Sequence, residues 1–209
     1  MTSVEFTEEM KGYVTLGESD YKAGEHQGKK DGTFLMFHLT ITADDVDEFV
    51  HDPRREARAV GYVECDALGG RLTVAEGVFN LFVDTDDPGL KKMLYRLPFA
   101  DGVGHPLTLS GFKLVKDDPG LDLWPDTSTL YTHLLTGHVA APDEPAAEVV
   151  AAGIIHIYLR DFAHQLTTFR AHGGSLAERL HALEKFGRLF LGDLWDVYGR
   201  HAKEAVEQS

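Results

Sequence analysis

The chain has 209 residues, of which 43% are hydrophobic, and this suits one domain with a sizeable core. Its 20 Lys and Arg against 34 Asp and Glu give a formal net charge of −14, and so acidic a surface repels nucleic acid and anionic lipid headgroups at long range. Cys65 is the only cysteine, so we expect no intrachain disulfide. The N-terminus is acidic where a signal peptide needs basic residues, and no apolar run approaches about 18 residues. We therefore expect a cytoplasmic protein without a transmembrane segment.

The first predicted strand follows a polar N-terminal stretch. Residues 1–31 are rich in Gly and Lys, which predicts an N-terminal arm with little regular structure. The pattern changes at Gly32, after which T-F-L-M-F-H-L-T-I over 33–41 indicates a strand. One or two helical turns are expected next, and they end at Asp52-Pro53 because a residue before proline avoids the helical conformation.

Further strand candidates follow at close spacing, separated by turns rich in glycine, proline and aspartate. They cover residues 58–67, 71–84, 91–99, 106–116, 127–139 and 149–159. Short strands joined by tight turns favour antiparallel pairing over a parallel βαβ architecture. The sequence therefore predicts a mainly β (α+β) fold, an antiparallel barrel or sandwich of about seven to eight strands over residues 32–160.

Residues 161–209 are predicted to form helices that belong to the same structural unit. Asp161 is the expected cap of a first helix, which Gly173-Gly174 ends. Ser175 and Glu178 then fit a capping box, and apolar residues recur at three- and four-residue steps over 176–198. We expect this long amphipathic helix to pack across the β domain, with a homodimer interface as the alternative.

The sequence lacks the common motifs of catalysis and cofactor binding. It contains no G-x-S-x-G, H-E-x-x-H, C-x-x-C, G-x-x-x-x-G-K-[ST] or G-x-G-x-x-G. We therefore expect neither a nucleotide nor a flavin cofactor, and enzymatic activity is disfavoured without being excluded. The eleven histidines show no ligand spacing, and the acidic turn at Asp84–Asp87 lacks the further oxygens of a calcium loop, so no metal site is predicted.

Several polar and aromatic residues interrupt the apolar strands or lie beside them. If they face a barrel interior, they are candidate ligand contacts or acid–base groups; if strand phase places them outside, they are ordinary surface residues. Trp124, before Pro125, is included as a possible aromatic gate at a barrel mouth. The candidate ligand-binding residues are His38, Asn80, Tyr95, Arg96, Lys113, Trp124, Tyr131, His133 and His156.

A set of segments across residues 6–199 also resembles a region found in large bacterial proteins. The segments are F-T-E-E-M-K-G-Y-V (6–14), D-G-T-F-L-M-F-H-L-T-I (31–41), G-V-F-N-L-F-V (77–83), L-S-G-F-K-L-V-K-D-D-P-G-L-D-L-W-P-D-T-S-T-L-Y (109–131), D-F-A-H-Q-L-T-T-F-R (161–170) and G-D-L-W-D-V-Y-G (192–199). In those proteins the region accompanies a cholesterol-oxidase-like flavoprotein oxidoreductase of the glucose–methanol–choline class, often with an α/β-hydrolase domain. The flavin-binding part is absent here, so the resemblance implies an association with lipid or sterol metabolism and transfers neither FAD nor site residues.

These observations lead to one main functional hypothesis and two alternatives. The main hypothesis is a non-catalytic, lipid- or sterol-associated binding or accessory domain, with a sterol or fatty acid as ligand and a flavoprotein oxidoreductase as partner. The first alternative is a small hydrolase or isomerase that uses barrel-facing histidines and carboxylates. The second is an oligomerisation module built on the helix at 176–198.

Overall fold

The computed structural model describes residues 1–87, 89–116 and 128–192. The strands in these ranges are β1 Ser3–Leu16, β2 Phe34–Ala43, β3 Glu56–Cys65, β4 Gly70–Asp84, β5 Leu90–Ala100, β6 Pro106–Lys116, β7 Thr129–Thr136, β8 Val149–His156 and β9 Arg170–His172. The helices are α1 Tyr21–Asp31, α2 Val46–His51, α3 Leu159–Leu166 and α4 Leu176–Leu191, with 3₁₀ turns at Asp66–Leu68 and Ala141–Ala146.

Strands β1 to β8 close into an antiparallel barrel. From β2 to β8 each strand pairs with the next along the chain, and β1 completes the ring by pairing with both β2 and β8. The short strand β9 pairs with the start of β1, over Ser3–Glu5. The predicted antiparallel fold class is therefore confirmed, and closure of the ring decides between the barrel and the sandwich.

Side chains alternate between the inside and the outside of the barrel wall. In β1 every second residue from Val4 to Val14 is buried, because successive side chains of a strand point to opposite faces. Aromatic rings fill much of the interior, with Phe6, Phe37 and Phe79 almost fully buried. Eight strands enclose a space just wide enough for such side chains or for one small ligand.

Helix α4 covers one end of the barrel. Phe186 and Phe190 bring their ring centroids to 5.9 and 5.3 Å from that of Phe6. The predicted capping box is present, with Ser175 and Glu178 bonding each other's backbone N–H. The amphipathic helix is thus confirmed over Leu176–Leu191 and packs on the β domain; residues 193–198 of the prediction lie outside the described ranges.

The expectation of an N-terminal arm with little regular structure is wrong. Residues 3–16 form β1, a central strand of the barrel, and residues 21–31 form α1. The helix was hidden because its buried residues are Gly24 and Gly28, which carry no apolar side chain to reveal a buried face. A Cβ at Gly24 would lie 2.0 Å from the carbonyl oxygen of Ala152, so glycine is what allows α1 to rest on β8.

The helix expected after Asp161 is also placed differently. Helix α3 begins three residues earlier, after Tyr158 instead of Asp161, and residues 170–172 form β9 instead of continuing a helix. Strand β1 pairs with β8 only over residues 11–16, and β9 provides backbone hydrogen-bond partners for residues 3–5. Such partners are needed because buried backbone groups must form hydrogen bonds.

No helix in the described ranges is both long and apolar enough to cross a bilayer.

Candidate functional site

The nine predicted site residues fall into three groups. Tyr95 and Lys113 are buried inside the barrel. Trp124 lies outside the described residues. The other six alternate with inward-pointing neighbours and so lie on the outer wall: His38, Asn80, Arg96, Tyr131, His133 and His156.

Inside the barrel, Tyr95 and Lys113 meet a third residue that the sequence did not reveal, Glu8 of β1. Lys113 Nζ donates to Glu8 Oε1 at 2.6 Å, and the Tyr95 hydroxyl donates to Glu8 Oε2 at 2.7 Å. Burial, and then the negative charge of Glu8, raise the pKa of Tyr95 well above its ordinary value, so this hydroxyl stays protonated.

This interior group holds strands together and is closed to solvent. The side chains of Glu8 and Lys113 are each 3% exposed, and both carboxylate oxygens already accept a bond. The ammonium group also lies 5.1 Å from the centre of the Tyr95 ring. Such an arrangement satisfies each buried polar group from within the chain, as a charged group inside an apolar core requires.

Two predicted residues come together on the outer wall of β5, β6 and β7. Arg96, Ser110 and His133 are register partners on the three adjacent strands. Glu144, from the turn at 141–146, lies over this row, where it accepts hydrogen bonds from Ser110 Oγ at 2.5 Å and from Arg96 Nη2. Burial raises the pKa of Glu144, whereas the hydrogen bonds from Ser110 and Arg96 lower it. The hydrogen bonds have the larger combined effect, so the pKa of Glu144 lies below its usual value.

Tyr21, the first residue of α1, completes this outer-wall cluster. Its ring stacks on His133 with centroids 4.1 Å apart, and its hydroxyl lies 3.2 Å from His133 Nδ1. His133 Nε2 lies 2.9 Å from the carbonyl oxygen of Ser19, so Nε2 carries the proton and Nδ1 is the acceptor in the neutral ring. Tyr131 is a neighbour of the same cluster, with its ring centroid 5.6 Å from that of Tyr21.

The remaining outer-wall candidates have local structural partners. His156 Nε2 lies 3.3 Å from Glu25 of α1, which fastens that helix to β8. The ring of His38 stacks on Tyr62 of the neighbouring strand at 5.6 Å. Asn80 donates from its side-chain amide to the carbonyl oxygen of Arg54 at 3.0 Å.

A groove of about 720 Å³ lies elsewhere on the outer wall, where the start of α3 passes over β1 and β2. It is lined by Lys11, Tyr13, Phe34, Tyr158, Arg160, Asp161 and His164. Tyr13 and Phe34 are register partners, and their rings meet edge to face with centroids 5.9 Å apart. Phe34 and Tyr158 are 39% and 50% exposed, so the groove presents aromatic surface to solvent.

The charged residues that line the groove are Lys11, Arg160 and Asp161, with His164 beside them. Lys11 Nζ lies 2.8 Å from Asp161 and 2.9 Å from Glu9, and the bond to Asp161 is the main cause that raises the pKa of Lys11. Arg160 is exposed and has no ion-pair partner among the residues that the structure describes. His164 follows Arg160 by four residues and therefore lies on the same side of α3.

Sequence reasoning did not find this groove, because its residues come from three separate elements and none belongs to a motif. The weak signal available in the sequence is Phe34, an aromatic residue at the start of a strand and on the face opposite to Leu35 and Phe37. The described residues contain no group of three or more His, Cys, Asp and Glu arranged to hold a metal ion.

Comparison of the chain with protein-family models, with curated proteins and with solved structures finds no match in any of the three.

Proposed function

We propose that this protein is a non-catalytic binding domain that takes a long-chain carboxylic acid into the groove between α3 and strands β1 and β2. The observation that carries the proposal is one groove of about 720 Å³ that combines exposed aromatic rings with a guanidinium, that of Arg160, for which the described part of the chain provides no ion-pair partner. Ligand pockets of roughly 300–1,000 Å³ combine apolar walls with a few polar groups in the same way.

The aromatic side chains are suited to a hydrocarbon chain. Tyr13 and Phe34 form the floor, and Tyr158 forms a wall at the start of α3. Because Phe34 and Tyr158 are partly exposed, a bound chain would remove their apolar surface from water. Burial of this kind stabilises a complex by about 25 cal/mol per Å² before the entropy of association is subtracted.

The head group is selected by charge. In a chain with a net charge of −14, Arg160 offers a guanidinium that can bind a carboxylate through two parallel hydrogen bonds. Asp161 is not paired with Arg160, since its carboxylate lies 2.8 Å from Lys11 Nζ, which also pairs with Glu9. A carboxylic acid therefore fits the groove better than a neutral sterol does.

The resemblance to a region that accompanies lipid-acting flavoproteins also favours this proposal, with such an oxidoreductase as partner. The enzyme alternative requires barrel-facing histidines and carboxylates. His38, His133 and His156 lie on the outer wall, so the geometry gives that alternative less support.

The test is a binding titration of oleate, with oleyl alcohol as the ligand that lacks the charge. Arg160→Gln should weaken oleate binding by roughly ten-fold and leave oleyl alcohol unchanged, because a hydrogen bond to a charged group contributes about 1.5–3 kcal/mol. Phe34→Ser should weaken both ligands. Arg54→Gln removes an exposed arginine outside the groove and serves as the matched control.

Failure to bind oleate at all, or equal oleate affinity in wild-type and Arg160→Gln protein, would reject the proposal. Oleate binding that responds to neither Phe34→Ser nor Arg160→Gln would place the ligand elsewhere.

A further inference from the structure

The outer-wall cluster holds a carboxylate that belongs to the chain itself. Arg96 and Ser110, on adjacent strands, each donate to a different oxygen of Glu144. A guanidinium and a hydroxyl that converge on one carboxylate form the kind of site that proteins use to bind carboxylate ligands. Here the bound group is a side chain from a surface turn.

The turn that carries Glu144 is attached mainly at its base. The Thr108 hydroxyl donates to the carbonyl oxygen of Gly137 at 2.7 Å and accepts from the Val139 N–H at 2.9 Å. Beyond this base, none of the residues of Ala141–Ala146 is buried. Glu144 is therefore the side chain that draws an otherwise exposed turn onto the barrel wall.

Arg96 and His133, on the wall beneath Glu144, also have contacts that do not involve Glu144. Arg96 Nη1 donates to the carbonyl oxygen of Val139 at 3.2 Å. His133 is held by Ser19 and by the stacked ring of Tyr21. If Glu144 swings away, Arg96 and Ser110 remain in place and each has a donor to offer.

We propose that Arg96 and Ser110 form a binding site for the carboxylate of a small organic acid, beside the stacked ring of His133, and that Glu144 occupies it as an internal competitor. The site is separate from the groove proposed to bind a long-chain acid, because α1 lies between the two. Burial, and then the charge of Glu144, raise the pKa of Tyr21, which agrees with a negative group held beside that ring.

Internal competition makes a quantitative prediction. A ligand binds only the fraction of molecules in which Glu144 is displaced, so its apparent affinity is reduced by that fraction. If the turn is closed in roughly 90–99% of molecules, removing the Glu144 carboxylate should tighten ligand binding by about 10- to 100-fold.

The experiment is an NMR titration with propionate, which reproduces the side chain of glutamate, and with propionamide, its uncharged counterpart. Glu144→Ala should bind propionate at least about ten-fold more tightly than the wild type, and propionamide should bind neither. Asp143→Ala removes one charge from the same turn without touching Arg96 or Ser110, and it should behave as the wild type. Adding Arg96→Gln to Glu144→Ala should abolish the gain.

Each other outcome counts against the proposal. Equal propionate affinity in the wild type and in Glu144→Ala, or a gain that survives Arg96→Gln, would show that Glu144 is not a competitor. If Glu144→Ala does not fold, Glu144→Gln removes the charge while keeping the shape and should show a gain of the same sign. If neither variant folds, Glu144 is a structural anchor and the proposal is wrong.

Discussion

Lys113 Nζ lies 2.6 Å from Glu8 Oε1 across the inside of the barrel, although their strands are not neighbours in the sheet. Strands β7 and β8 separate β6 from β1 along the wall, so the ion pair links opposite parts of it through the interior. Removing two charges from water costs several kcal/mol for each ion, and their attraction offsets this only when the geometry and the remaining hydrogen bonds are good. Tyr95 supplies one of those bonds.

The first prediction concerns the loss of one charge of this pair. Lys113→Met should destabilise the protein by about 3–5 kcal/mol, because Glu8 is left buried without its countercharge. Glu8→Leu combined with Lys113→Met, made with Tyr95→Phe so that no hydroxyl is left unpaired, should recover most of the loss. Urea unfolding at neutral pH measures both changes.

Arg58 provides the control for that comparison. It forms an ion pair with Asp44 at 3.0 Å, but both side chains are at least half exposed. Exposed pairs contribute about 0–1 kcal/mol, so Arg58→Met should have a small effect. If Lys113→Met lowers the free energy of unfolding no more than Arg58→Met does, the buried ion pair between Lys113 and Glu8 would be contradicted.

The second prediction follows from the raised pKa of Tyr95. In the unfolded chain a tyrosine loses its proton near about pH 10, whereas the folded protein keeps the proton on Tyr95 to higher pH. The stability that this group contributes is therefore fully present below about pH 10 and is lost as the pH rises toward the folded pKa.

Tyr95→Phe removes the titrating group and should flatten this dependence. The unfolding free energy of the wild type should fall more steeply than that of Tyr95→Phe between about pH 9 and about pH 11. Parallel curves for the two proteins would mean that Tyr95 titrates as it does in the unfolded chain, which would contradict its burial beside Glu8.

The predicted strands show what local pattern can and cannot reveal. Residues 33–41 are rich in apolar and β-branched residues, and they lie almost entirely within β2, where burial alternates from Phe34 to Ile41. In β1 the inward positions include Glu8 between Phe6 and Met10, so a charge stands where the pattern needs an apolar residue. The partner that makes this charge acceptable, Lys113, is distant along the chain and is not visible to any local rule.

Whether a candidate site residue faces the barrel interior or the solvent depends on the phase of its strand, which the sequence does not determine. Both placements occur, since Tyr95 faces the interior and His133 on another strand faces outward. The outer-wall cluster needs three strands to lie in register and a turn to fold back over them. Register and long-range pairing follow from the closed barrel and cannot be deduced from one strand at a time.

The third prediction tests the contact between α1 and the barrel. In an isolated helix Gly24→Ala would be stabilising by about 1 kcal/mol. Here the new Cβ would lie 2.0 Å from the carbonyl oxygen of Ala152, so the helix must move and we expect a net destabilisation of about 1–3 kcal/mol. Lys22→Ala, on the exposed side of the same helix, should be close to neutral.

Thermal or urea unfolding of the two variants measures this difference. The sign of the change in unfolding free energy for Gly24→Ala is the decisive result. A stabilising Gly24→Ala would mean that α1 is not in close contact with β8.

The last prediction concerns α4 and the end of the barrel that it covers. Phe186 is 1% exposed and packs with Phe6, Phe49 and Phe190, so Phe186→Ala should cost about 3–5 kcal/mol by leaving a cavity. Leu176, at the start of the same helix, is 44% exposed, and Leu176→Ala should change stability by about 0.5 kcal/mol or less.

Protein concentration separates packing within the chain from a dimer interface. Because the contacts of Phe186 lie within one chain, the unfolding midpoint and the loss caused by Phe186→Ala should be the same at every protein concentration. A midpoint that rises with concentration would indicate that a second copy contributes to the stability, since association favours the folded state by mass action. Comparable losses for Phe186→Ala and Leu176→Ala would contradict the placement of α4 over the barrel end.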